Sequence, residues 1–288
     1  MRNLSRSIAH VLTAGALLAV LAGCTSIALT IEAPPALHTS PVPAHTVDAY
    51  IPPSLVAVDE LPEATYAAVI PGLIANQGIT AAAPTVYSLS ADTALYSADR
   101  TTPIAHLAAL NFLGDRTVVV PIQQDGGWSL VLTPSRLELP STVNGSAPAQ
   151  SSAWLRTDAL VDPISTPDRI QVSVENQQLI VLDRAGQPVS RYPVGVGTPG
   201  TPTPTSVTGY IQARYLDPAQ GQTEYPIQLT SLHSAAADEP YGGSDGGLIG
   251  VHYEEENTGQ VSHGCVRLPV DAITAVNSLP LGTLITII

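Results

Sequence analysis

Ile249-Gly250-Val251-His252 and, after a nine-residue gap, Ser262-His263-Gly264-Cys265-Val266-Arg267-Leu268-Pro269 decide how this 288-residue chain is read. A cysteine attacks as its thiolate. With an ordinary pKa of about 8.5, little of it is ionised at neutral pH, so a nearby base or cation is needed. His233, His252 and His263 all fall in this part of the chain. Gly264, lacking a Cβ, lets the backbone approach a substrate carbonyl, where adjacent amides can stabilise an oxyanion. Arg267, two positions on, shares a face with Cys265 in any extended segment and is suited to hold a carboxylate.

The chain has two cysteines, and the other, Cys24, closes Leu21-Ala22-Gly23-Cys24 after an apolar run. Arg2 and Arg6 form a positive start, and Ile8–Leu21 has the length of a signal h-region and is short for a membrane span. Residues 1–24 resemble a bacterial lipoprotein signal. The resemblance implies cleavage before Cys24 and lipidation of its sulfur, with the protein exported, membrane-anchored and facing the cell wall. That leaves Cys265 as a thiol outside the reducing cytosol, a liability unless its reactivity is used.

Eleven Arg and no Lys stand against 24 Asp plus Glu. Without residues 1–23, which hold two Arg, the balance is 9 − 24 = −15. An acidic chain with no basic run argues against a nucleic-acid partner and against electrostatic docking on anionic lipid.

Pro-rich residues 24–54 have no apolar period and read as a tether or a disordered leader. Residues 55–164 read as a β-rich domain. Glu60–Ile74 is helix-like up to Pro71-Gly72, and strands follow at Thr117–Val120, Trp128–Leu132 and Ala153–Arg156. Asp125-Gly126-Gly127 signals a hairpin. This part faintly resembles a Src-homology-3-type wall domain. Residues 165–288 form a second domain. Its strands are expected at Arg169–Val174, Gln178–Leu182, Val189–Val194 and Leu284–Ile288, with a short helix from Val270 to Ser278. Thr198–Thr205, where Pro and Thr alternate, reads as a stiff loop or sheet edge. Tyr241–Gly247 reads as a loop beside the cleft, and Glu254–Glu256 as a solvated loop.

Residues 168–288 resemble the catalytic domain of L,D-transpeptidases, the peptidoglycan cross-linking enzymes. The carrying residues are the two stretches quoted first, with Gly195-Val196-Gly197 and Thr203-Pro204-Thr205 in support. The resemblance implies a mainly β fold, with a C-terminal β-sandwich and a short helix. It implies Cys265 as nucleophile and His252 as its base, oriented by the backbone carbonyl of Tyr253. His263 and Gly264 would line the oxyanion region, and Arg267, Ser262 and His233 would face the substrate. The implied partners are peptidoglycan stem peptides, with carbapenems as covalent inhibitors and no metal or cofactor. Three alternatives stay open: an L,D-carboxypeptidase, a non-catalytic wall-binding lipoprotein, and a zinc site from His233, His252, His263 and Cys265, which lacks paired ligand spacing. Two departures from the family are visible. The gap Tyr253–Val261 is short and carries three glutamates, and the glycine of Thr205–Tyr210 comes later than in Thr-Pro-x-Gly.

Overall fold

The structure is a computed structural model of the chain and describes residues 57–80, 85–143, 146–236 and 247–288. All lie within one compact unit, Val47–Ile288. The expected signal (1–23), lipidated Cys24 and tether (24–54) fall outside the described residues, as does Tyr241–Gly246. Among the described residues the fold is mainly β with one α-helix.

The first half holds β1 (Ile74–Ala75), β2 (Thr85–Leu89), β3 (Thr93–Tyr96), β4 (Pro103–Leu107), β5 (Val120–Asp125), β6 (Trp128–Thr133), β7 (Ser151–Arg156) and β8 (Leu160–Ser165). Five of these pair in the order β4-β3-β7-β6-β5, with β1 beside β7, while β2 pairs with β8. The β5–β6 hairpin turns through Gly126 (φ 54) and Gly127 (φ 86), with Asp125 opposite Trp128. Both central positions of such a turn need positive φ, which glycine adopts without a Cβ clash. Trp128, Trp154 and Tyr96 form a small buried cluster. The Arg100 guanidinium stacks 3.7 Å from the Trp154 ring centre. A Src-homology-3-type barrel is not confirmed for this half.

The helix expected over Glu60–Ile74 does not form. Val58–Glu60 makes one 3-10 turn, and isolated bridges then join Glu63 to His106 and Val69 to Arg136. Pro62 and Pro71 lack the amide donors a helix needs. Ala64, Ile70 and Leu73 cover the sheet instead of forming a helical stripe.

The second half contains β9 (Arg169–Ser173), β10 (Gln178–Leu182), β11 (Pro188–Pro193), β12 (Gly195–Gly197), β13 (Val207–Asp217), β14 (Gln222–His233), β15 (Leu248–Tyr253), β16 (Gly259–Ser262), β17 (Val266–Leu268), α1 (Val270–Asn277) and β18 (Leu284–Ile287). They pair in the order β11-β10-β9-β18-β13-β14-β15-β17-β12-β16. Ile170, Val172, Leu179 and Val181 from one end of this sheet share a buried cluster with Val196, Ile249, Val251, Val266 and Leu268 from the other. The sheet therefore folds over its own apolar face. α1 adds Ala272, Ile273 and Val276 at helical spacing. The Arg214 guanidinium donates to the carbonyls of Val276 and Leu279 at its C-terminal end, where a cation suits the helix dipole. Gly209 of β13 lies opposite Ile285. A Cβ there would come within 2.6 Å of Leu232 Cγ, so the glycine's place is set by β14 packing.

The two halves share buried surface. Val86, Val118, Val120 and Leu132 pack with Tyr210 and Leu284. Gly282 (φ 84) sits where a Cβ would fall 2.8 Å from Val86 and Val118. Buried Arg136 reaches across to the carbonyls of Ser234 (3.5 Å) and Gly247 (3.3 Å), which flank the undescribed loop.

Candidate active site

β15 and β17 run parallel, with His252 in register with Arg267 and Val251 with Val266. Side chains alternate along a strand, so Gly250 and His252 share a face, as do Cys265 and Arg267. The buried Val251 and Val266 point the other way, into the core. This alternation brings the thiol and the imidazole to one cleft. Cys265, His252, His263, Ser262 and Arg267 line it together with Gln220, Gln222, Ile227 and Glu254, around roughly 570 Å³ of open space.

Gly250 stands between the two reactive side chains. A Cβ built on it would lie 3.7 Å from the Cys265 sulfur and 4.0 Å from His252 Cδ2. Its backbone N–H donates to Sγ at 3.4 Å, a contact that gains strength when the sulfur is anionic. The thiol in turn faces the Leu248 carbonyl at 3.8 Å.

His252 Nδ1 lies 3.0 Å from the Tyr253 carbonyl. A carbonyl only accepts, so the proton sits on Nδ1 and leaves Nε2 with its lone pair. Burial holds the imidazole below the usual histidine range, and Arg267 adds to this. The Tyr253 carbonyl and Glu254 act in the opposite direction. A neutral ring at pH 7 is the state a base requires. Gln222 also donates to the Tyr253 carbonyl, at 3.0 Å, so one oxygen receives two donors.

The turn carrying Cys265 is held from beneath. Gly264 adopts φ 110, open to glycine and strained for other residues. Ser262 Oγ donates to the Cys265 carbonyl (2.6 Å) and accepts from Gly264 N–H (3.2 Å). The Pro/Thr loop forms a shelf under it. Thr203 Oγ1 donates to the Gly264 carbonyl (2.8 Å) and accepts from Gly197 N–H (2.8 Å), and Thr201 Oγ1 donates to the Ser262 carbonyl (3.2 Å). A Cβ on Gly197 would fall 2.3 Å from the Thr201 carbonyl oxygen, which explains the glycine at the end of β12.

His263 is exposed at the mouth of the cleft. Arg267 pairs with Glu256 at 3.5 Å. Asn257 folds back on the carbonyls of Glu254 (2.7 Å) and Glu255 (3.1 Å), so the short loop is shaped by its own side chain. His233 is not brought into the cleft. It is 2 % exposed, and its Nε2 lies 2.9 Å from the Tyr66 carbonyl. Burial, with Arg136 adding, pulls its pKa down to about 4. Among the described residues no group of three or more His, Cys, Asp or Glu is placed to hold a metal ion. Gln222, Gln220 and Ile227 were not singled out from sequence, and Glu254 was read only as part of a solvated loop. The first three come from the β13–β14 hairpin and its end, over 30 residues from the Cys265 motif, and no local pattern marks them.

No curated protein matches the chain. Among solved structures, an L,D-transpeptidase from Mycobacterium tuberculosis H37Rv is similar at 12% identity, covering 76% of this chain and 98% of that one, with a TM-score of 0.34. One from Mycobacterium smegmatis has 14% identity, covers 56% and 90%, and has a TM-score of 0.31. The catalytic domain of the Enterococcus faecium L,D-transpeptidase has 20% identity, covers 43% and 98%, and has a TM-score of 0.30. The family model of YkuD, the L,D-transpeptidase catalytic domain, matches residues 167–287.

Proposed function

We propose that this protein is a cysteine-dependent peptidoglycan L,D-transpeptidase. The observation that carries the reading is the convergence of Cys265 and His252 on one cleft, with Nδ1 of the imidazole engaged by the Tyr253 carbonyl. The family match over 167–287 supports it.

In this reading His252 Nε2 takes the Cys265 proton. The sulfur attacks the carbonyl carbon of the L,D-peptide bond in a donor tetrapeptide stem. The tetrahedral oxyanion is held by backbone amides beside Gly264. Collapse breaks the C–N bond, His252 returns its proton to the leaving D-Ala amine, and a thioester remains on Cys265. An amine of a neighbouring stem then attacks that thioester and restores the thiol. Water in its place gives a carboxypeptidase. Incubation with tetrapeptide stems, read by mass spectrometry, separates the outcomes. Cross-linked dimers support transpeptidation, tripeptides alone mean hydrolysis, and unchanged stems contradict both.

The proposal includes export and lipid anchoring at Cys24, which rests on the sequence Leu21–Cys24 after its apolar run. Two or more acyl chains anchor far more firmly than one, because each buried methylene adds about 0.8 kcal/mol. Cys24→Ala is expected to leave the membrane fraction, and retention there contradicts the anchor.

A further inference from the structure

We propose that Gln222 is a specificity-determining residue that accepts a hydrogen bond from a substrate N–H beside Cys265, a reading that rests on the acyl-transfer function above. Gln222 opens β14 directly after the hairpin turn at Gly221 (φ 76). It is 6 % exposed and lines the same cleft as Cys265, His252 and Arg267. Its Nε2 donates to the Tyr253 carbonyl at 3.0 Å. The shorter contact sets which way the amide faces, since the reversed rotamer would place Oε1 against the Tyr253 carbonyl at 3.0 Å, acceptor against acceptor, and gain in exchange only a 3.5 Å approach to His252 Nδ1.

Oε1 is therefore turned away from Tyr253. It is buried and has no hydrogen-bond partner among the described residues. A buried acceptor left in that state carries a standing cost, which a bound donor removes. The second such atom in the cleft is a donor, Arg267 Nε. An acceptor and a donor, both without a partner among the described residues, complement a ligand that presents an N–H and a carbonyl or carboxylate. That is the chemistry of a peptide. Gln222 also donates to the carbonyl that receives His252 Nδ1, so one carboxamide touches both the substrate and the support of the base. Nothing in the sequence around Ala219-Gln220-Gly221-Gln222 announces this role.

The test uses Gln222→Met, which keeps the side chain's length and burial and carries neither half of the amide. It is assayed with a tetrapeptide stem and with a series of stems N-methylated at one amide each. In the wild type, methylating the engaged amide lowers kcat/KM at least tenfold, about the loss expected when a hydrogen-bonding site loses its partner. In Gln222→Met the unmodified stem already loses at least tenfold, and the same methyl group costs less than a further twofold, the non-additivity of two groups in contact. Equal penalties in both proteins at every position, or wild-type turnover by Gln222→Met, overturn the proposal. Should Gln222→Met lose its thermal transition, the wild-type methyl scan decides alone, and a scan in which no single N-methyl group costs tenfold overturns the proposal. Carbapenem acylation of Cys265 is followed in parallel. A wild type that is acylated and turns over stems, but shows no dependence on Gln222, sinks this inference alone. One that does neither sinks the acyl-transfer reading and this with it.

Discussion

Replacing Thr203 by valine isolates the shelf beneath the nucleophile. Valine has the shape of threonine without the hydroxyl, so no cavity opens. The cost comes from two buried backbone groups, the Gly197 N–H and the Gly264 carbonyl, each of which loses a 2.8 Å hydrogen bond. Thr203 is itself 2 % exposed, so water does not replace the hydroxyl freely. Each orphaned group costs about 1–3 kcal/mol, giving about 2–6 kcal/mol for the pair. For a domain of this size about 2–4 °C is lost per kcal/mol, so the midpoint is expected to fall by at least about 4 °C. Gly264 precedes the nucleophile, and a loosened turn displaces the sulfur. Carbapenem acylation is expected to slow about tenfold or more, since displacements on the order of 1 Å can cost 100-fold. Thr205→Val is the control, because Thr205 is exposed and is expected to shift stability by no more than about 0.5 kcal/mol. Calorimetry and intact-mass kinetics on both variants suffice. If Thr203→Val melts and reacts as Thr205→Val does, the shelf does not hold the turn.

Three further outcomes follow from the same geometry. Because burial depresses the His252 pKa, its neutral form persists below the ordinary value of about 6.5, and the acid limb of the acylation rate is expected under pH 6.5; a limb above it contradicts the electrostatics. His233 falls to about 4 when folded, so the unfolded chain binds the extra proton between that pH and about 6.5. Its contribution, worth about 3 kcal/mol, is complete above pH 6.5 and is lost as pH falls towards 4. The unfolding midpoint of His233→Gln is accordingly expected to depend less on pH over that window, and an unchanged slope refutes this. Gly250→Ala places a methyl at ordinary contact distance from both Sγ and His252 Cδ2. It is expected to fold with a change of about 1 kcal/mol or less and to acylate at least tenfold more slowly, because the methyl occupies the path between thiol and imidazole. Wild-type kinetics in that variant would place the proton transfer elsewhere.

Four strands of the second half, β9, β10, β11 and β18, were legible because their alternation is local, whereas the long β13–β14 hairpin was not read as strands. Gln178–Leu182 and the helix from Val270 carry their periodicity within a few residues, and the Asp125–Trp128 hairpin is written in two glycines. Glu60–Ile74 misled because its apolar residues have near-helical spacing, while the sheet they cover is made from residues far along the chain. The thiol and its flanking residues were readable as a motif, and so was the idea that Thr198–Thr205 is stiff. That this loop bears on Gly264 and Ser262 depends on pairing between β12 and β16, which no short window contains. His233 looked like a site residue because histidine near a cysteine suggests chemistry. Its burial against Tyr66 is set by the first half of the chain. Gln222 reaches the cleft only through the register of the β13–β14 hairpin, and its unpartnered Oε1 is a property of three-dimensional packing alone.

The most direct measurement is the intact mass of the protein after exposure to a carbapenem, for the wild type, Cys265→Ser and His252→Ala. A nucleophile at Cys265 served by His252 predicts one adduct in the wild type, none in Cys265→Ser, and a rate lowered about 100-fold or more in His252→Ala. An unmodified wild type, or an adduct that survives Cys265→Ser, contradicts the account.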